Sequence, residues 1–149
     1  MIAKEEIKLE SFKYFKPLEI RWNDLDPIGH VNNVFYIEYF QIGRGTYMTE
    51  MSESWDWTKH MFVIANISCN YYKEINLSSK NVRLGVRVTS IGTKSFELQY
   101  VIISDRHDEK PIIHAMGTST QVLIDLSIKK SIEIPVWLRT DIIEYEPAL

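Results

Sequence analysis

Hydrophobic and polar positions divide this chain into one stretch of helical period set among stretches of strand period. Leu18, Ile20 and Trp22 alternate with Glu19, Arg21 and Asn23, the two-residue period of a half-buried strand. Pro27 and Gly29 interrupt it and mark a turn from Asp24 to His30. From Val34 to Met51 the period changes. Tyr36, Phe40, Gly43, Tyr47 and Met51 recur at spacings of four and three, Phe35, Tyr39 and Ile42 form a second apolar stripe, and Glu38, Gln41, Gly45 and Thr49 leave a narrow polar strip. The pattern predicts a helix over Val34–Met51, enclosed around most of its circumference. Gly43 and Gly45 each cost such a helix on the order of 1 kcal/mol relative to Ala, which close approach of another backbone would explain. Asn32 or Asn33 is placed to cap its first turn.

Beyond a loop containing Trp55 and Trp57, the pattern returns to strands. Phe62 to Ile75 is one extended run; Val82, Leu84, Val86 and Val88 alternate with Arg83, Gly85 and Arg87; Phe96 to Ile102 and Ile112 to Asp125 follow. Short connections between consecutive strands favour antiparallel pairing. One apolar helix against one antiparallel sheet of about five strands is an α+β domain. Residues 1–149 read as a single such domain, without repeat, linker or low-complexity segment. The regular segment Val82–Val88 is the candidate for an edge that a second copy would cover.

Composition narrows the class. Hydrophobic content of 45% with 25% charged residues is globular. A net charge of −3 and a pI near 5.8 argue against broad nucleic-acid binding, which needs a basic face. No run approaches the roughly 18 apolar residues of a membrane span. The start of the chain lacks a charged-then-apolar signal pattern, and the single Cys69 suggests a reducing compartment. The expectation is a cytoplasmic protein with no nucleic-acid or membrane partner.

The candidate chemistry gathers at Arg21-Trp22-Asn23-Asp24-Leu25-Asp26-Pro27-Ile28-Gly29-His30-Val31-Asn32-Asn33. Carboxylates just before a helix start lie among unpaired backbone N–H groups, at the positive end of the macrodipole. Such a place favours negative charge and can also polarise a substrate carbonyl. Asp26 is the candidate nucleophile or general base, and the sequence leaves the two roles open. Backbone N–H groups around Asn33 and Val34, with Gly29 in the turn, are the candidate oxyanion and substrate contacts. His30 can orient water, hydrogen-bond a carbonyl or donate a proton to a leaving group. Two close carboxylates repel when both are charged, so Asp24 is read as bracing the turn. A metal set of Asp24, Asp26 and His30 offers few ligands, and His60, His107 and His114 show no ligand spacing. No metal or cofactor is expected. Cys69, with no neighbouring His, reads as a small apolar residue, and no Gly-x-Ser-x-Gly elbow occurs. Trp55, Trp57, Met61 and Phe62 either line an acyl or aryl pocket or fill the core.

With Trp22, Asp24, Asp26 and Gly29, then Tyr36 and Arg44 along the helix, the chain resembles the hotdog-fold thioesterases, especially the 4-hydroxybenzoyl-CoA and acyl-CoA thioesterase branch. The resemblance runs roughly from Pro17 to Leu138. It implies a hotdog fold, a curved antiparallel sheet wrapped around one long helix. It also places the essential carboxylate at Asp26 and the acyl or CoA pocket near Tyr36, Ser68 and Asn70. The string Asp24-Leu25-Asp26 with His30-Val31-Asn32-Asn33 is similar to acyl-ACP thioesterases as well, but Ile28 stands where those enzymes carry Asn. The function implied is hydrolysis of an acyl-CoA or acyl-ACP thioester, coenzyme A being part of the substrate. A hotdog enoyl-CoA hydratase or dehydratase and a non-catalytic acyl-CoA-binding module are the alternatives. Relatives of this kind join sheets edge to edge, so the resemblance further implies a homodimer or homotetramer with the acyl site at the subunit boundary.

Overall fold

A computed structural model describes residues 7–107 and 109–149. The elements run β1 (Tyr14–Pro17), α1 (Val34–Met51), β2 (Met61–Tyr71), β3 (Lys80–Ile91), β4 (Ser95–Asp105), β5 (Ile112–Asp125), β6 (Lys130–Ser131) and α2 (Val136–Tyr145), with short 3-10 turns at Leu9–Ser11 and Trp22–Asp24. One antiparallel sheet has the order β1-β3-β4-β5-β2, and β6 pairs with β5. It curls around α1, whose stripe Tyr36, Phe40, Gly43, Tyr47 and Met51 is buried throughout. The core forms where this stripe meets Leu84, Val86, Phe96, Leu98 and Tyr100, none of them accessible to solvent. Phe40 stacks on Tyr100 at 4.3 Å between centroids.

Gly43 owes its place to side chains rather than to another backbone: a β-carbon there would run into Leu84. Gly45 has nothing near it; its carbonyl accepts the Trp57 indole N–H at 3.1 Å. The second stripe is enclosed only in part, since Tyr39 is buried while Ile42 is 44% exposed.

Four expectations change. The first strand lies upstream, at Tyr14–Pro17; Leu18 and Ile20 still pack on the core, but Trp22 enters a 3-10 turn and is 76% exposed. That turn closes because Asp24 accepts the Arg21 backbone N–H. β2 ends at Tyr71, four residues short of Ile75. The segment Val82–Val88 is no edge, because β3 is paired on both sides by β1 and β4. Among the described residues, the long open edge is β2, hydrogen-bonded on one side to β5. Finally, a second helix, α2, follows Pro135, with Leu138 and Ile142 buried one turn apart.

Candidate active site

The turn before α1 is built on Asp24. Its carboxylate, fully buried, accepts the Arg21 side chain through Nε at 2.9 Å and Nη2 at 2.8 Å, the Arg21 backbone N–H at 3.1 Å and the Tyr39 hydroxyl at 2.6 Å. Burial first, then the Asp24 contact, push the Tyr39 phenol well above its ordinary pKa. The Asp24 carbonyl takes the Asn32 N–H at 2.8 Å, tying this anchor to the start of the helix. Asp24 thus has a structural task.

Asp26 stands two residues further on, half-buried. Its Oδ1 accepts the backbone N–H groups of Ile28 at 3.0 Å and His30 at 3.1 Å, while its own N–H donates to the His30 carbonyl at 2.7 Å. Gly29 closes the loop with φ near +80°, a conformation that disfavours any side chain there. Oδ1 is thereby fixed, and Oδ2 accepts no hydrogen bond from the described residues.

At the helix start the two expected oxyanion donors separate. The Val34 N–H is taken by the Asn32 side-chain oxygen at 3.2 Å, while Asn33, at the N-cap position, makes no side-chain cap bond; Val34 is therefore not a free donor. The Asn33 N–H has no acceptor among the described residues and is the backbone donor that remains. Helix N-termini favour negative charge, which suits an oxyanion here.

Asp26, His30, Asn33 and Tyr36 share a groove of about 350 Å³ with Tyr71, Tyr72, Lys73 and Glu74. The last four lie outside the sequence-based site. They were hidden because the extended pattern runs on past Tyr71, whereas the chain turns there and crosses the mouth of the helix. Ile75 holds that crossing by accepting the Val31 N–H at 2.8 Å. His114 holds it from below: its carbonyl accepts from Tyr72 and Lys73, and its Nδ1 lies 3.1 Å from both the Lys73 and the Glu74 carbonyl. Two carbonyl partners put the ring proton on Nδ1, so Nε2 accepts the Ser104 hydroxyl at 2.7 Å. Burial holds the His114 pKa below the ordinary histidine range. Tyr71 meets Tyr36 edge to face at 4.8 Å and donates to the Asn33 carbonyl at 3.2 Å.

Ser68 and Asn70, expected in this pocket, do not line it. A bulge between Ile64 and Asn66 shifts the alternation of β2 by one residue. Ile67 and Cys69 then pack toward the core, and Ser68 turns to Thr118 on β5 at 2.8 Å. Burial pushes the Cys69 thiol up to about 11, which suppresses the nucleophilic thiolate at neutral pH.

Residues 20–142 match a family model described as the thioesterase-like superfamily. The chain belongs to that family. Among curated relatives, it is 28% identical over 91 residues to the uncharacterised YsmA of Bacillus subtilis, a match spanning 61% of each chain. It is 30% identical over 125 residues to the long-chain acyl-CoA thioesterase FadM of Escherichia coli, covering 82% of this chain and 91% of FadM. A Thermus thermophilus thioesterase complexed with coenzyme A and Zn aligns with a TM-score of 0.79 at 26% identity, over 93% of this chain and 98% of the other. A 4-hydroxybenzoyl-CoA thioesterase variant shares the fold alone, with a TM-score of 0.78 at 12% identity over 87% and 97%. The fold is thus the hotdog fold, and the family, FadM and the Thermus thermophilus thioesterase support thioester hydrolase activity. Among the described residues, no group of three or more His, Cys, Asp or Glu is placed to hold a metal ion, and no helix is long and apolar enough to cross a membrane.

Proposed function

We propose that this chain hydrolyses the thioester bond of acyl-CoA substrates at the Asp26 groove. The observation that carries the reading is the division of labour at the turn: Asp26 Oδ1 is pinned by two backbone N–H groups while Oδ2 is left to react. Across the same groove the Asn33 N–H is available to the carbonyl oxygen. Oδ2 either attacks the carbonyl carbon or takes a proton from an attacking water; in both cases the oxyanion forms at the Asn33 N–H. The C–S bond then breaks, and the thiolate leaves without obligatory help. His30 lies beside Asp26 in the groove and is suited to orient the water.

Several walls of this groove face water: Asn33, Lys73 and Glu74 are exposed, and so is Tyr71, which ends the open β2 edge. Val63 and Ile64 on that edge are 48% and 36% exposed. Pairing two β2 strands would cover these side chains, satisfy the edge and shield the groove. The reading therefore includes a homodimer joined through β2. Thioesters of CoA are favoured over those of acyl carrier protein by the relatives named for CoA.

The test is Asp26→Asn in a thiol-release assay across an acyl-CoA panel. The expected result is a loss of at least about 100-fold in turnover, the usual scale for a missing base or nucleophile, with an unchanged melting temperature. Near wild-type turnover on the best substrate would refute the assignment.

A further inference from the structure

A cavity of about 510 Å³ lies at the end of β2 remote from Asp26. Its apolar walls are Trp55 from the connection after α1, Met61 at the start of β2, Leu123 on β5, and Ile132 and Trp137 from the C-terminal segment; His60, Lys59, Asp125 and Ser127 add polar groups. The aromatic rings are continuous: Trp55 lies 5.2 Å from His60, and His60 lies 4.9 Å from Trp137. The same wall holds an orphan donor, the Trp55 indole N–H, which is buried without a partner among the described residues. The size and lining are those of a small-molecule pocket. The Asp26 groove is smaller, about 350 Å³, and has Lys73, Glu74 and Tyr72 along one wall. It can hold a thioester carbonyl but offers an apolar tail little cover.

Within one protomer the two places are separated by the length of β2, about 33 Å at the usual rise per residue, so the pocket cannot serve its own Asp26. The open edge changes this. Antiparallel pairing of two β2 strands about their middle sets the Met61 end of one against the Tyr71 end of the other. We propose that the pocket walled by Trp55, His60 and Trp137 receives the apolar acyl tail of the thioester held at the partner subunit's Asp26. Trp137, at the start of α2, sets the depth of the pocket and hence the preferred tail. This assignment rests on the thioesterase reading and on dimerisation through β2.

The experiment uses acetyl-, octanoyl-, palmitoyl- and phenylacetyl-CoA with wild-type protein, Trp137→Ala, Trp137→Leu and Asp26→Asn. The aryl substrate separates a straight tail from a ring. Removing the indole should change the ratio of octanoyl or palmitoyl to acetyl kcat/KM by at least roughly tenfold, the scale of one methylene in a fitted pocket. Trp137→Leu keeps an apolar anchor for α2, so a folded variant is available if the alanine protein does not fold. Hybrid dimers of Asp26→Asn and Trp137→Ala protomers, purified by two different tags, then decide the geometry. If the tail crosses the boundary, one of the two sites keeps both groups intact, and the hybrid shows half the wild-type activity with the wild-type tail ratio. A hybrid with the ratio of Trp137→Ala would overturn the crossing, as would a fully active 17.5 kDa species in sedimentation. An active wild type whose tail ratio neither Trp137 variant changes would overturn the pocket alone. A wild type inactive on the whole panel would overturn the hydrolase reading, and the pocket assignment with it.

Discussion

Replacing Tyr39 by Phe deletes one oxygen atom and tests whether Asp24 anchors the active-site turn. Asp24 Oδ2 accepts two donors, the Tyr39 hydroxyl at 2.6 Å and the Arg21 N–H at 3.1 Å. The Phe ring fills the same space, so the change is confined to one short hydrogen bond on a buried carboxylate. Hydrogen bonds to charged groups contribute about 1.5–3 kcal/mol. The Arg21 side chain is 49% exposed, but its Asp24 partner is only 1% exposed. Arg21→Ala, which strips the same buried carboxylate of its counter-charge, should cost at least as much as Tyr39→Phe, since a buried charge left unpaired costs about 3–5 kcal/mol. For a chain of this length the Tyr39→Phe loss corresponds to roughly 3–12 °C in melting temperature. Denaturant titration at one fixed protein concentration keeps any concentration dependence of stability the same for both proteins. A Tyr39→Phe protein within about 0.5 kcal/mol of wild type would show that the turn does not hang on Asp24. Because the Asp24 carbonyl holds the Asn32 N–H, the folded variant should also lose turnover while it still binds CoA.

Two further outcomes follow from the packing of α1 and of the C-terminal segment. Gly43→Leu should lose about 1–3 kcal/mol, because its side chain meets Leu84; Glu38→Ala, which breaks only the partly exposed pair with Arg21, should stay within about 1 kcal/mol. Equal melting temperatures for these two proteins would place the wrong face of α1 against the sheet. Glu146→Gln tests a buried carboxyl whose pKa burial raises above the ordinary glutamate range, and which accepts the Tyr47 hydroxyl at 2.7 Å. Between the unfolded and the raised folded pKa the native state binds the extra proton, so stability should fall as pH rises through that window. Glu146→Gln should flatten this part of the stability profile in denaturant melts, and an unaltered slope would contradict the assignment.

The two halves of the chain differed in how openly their sequence declared them. The helix Val34–Met51 was legible to the residue, because eighteen positions with one apolar stripe average out local exceptions such as Gly45. Asp26, His30 and Asn33 were legible as a group because they are close in sequence and the turn keeps them close in space. Tyr72, Lys73 and Glu74 were not, since their part in the groove depends on where β2 stops, and that is decided by His114 and Ile75, residues whose roles exist only once β5 and the turn at Val31 are in place. Alternation along a strand reports which face a side chain occupies, never which strand lies beside it. Val82–Val88 alternates cleanly as an interior strand, while the open edge β2 carries a bulge that spoils its period. A regular pattern therefore pointed to the wrong edge, and the same bulge exchanged Ser68 and Asn70 for Cys69 and Tyr71 on the helix side. α2 escaped for a different reason: its buried contacts, Leu138 and Ile142, amount to one turn, too few for a period to stand out. Yet that turn brings Trp137 to the pocket beside His60. The element with the weakest sequence signal thus supplies a wall of that cavity, as loops and chain ends often supply binding residues on a rigid scaffold.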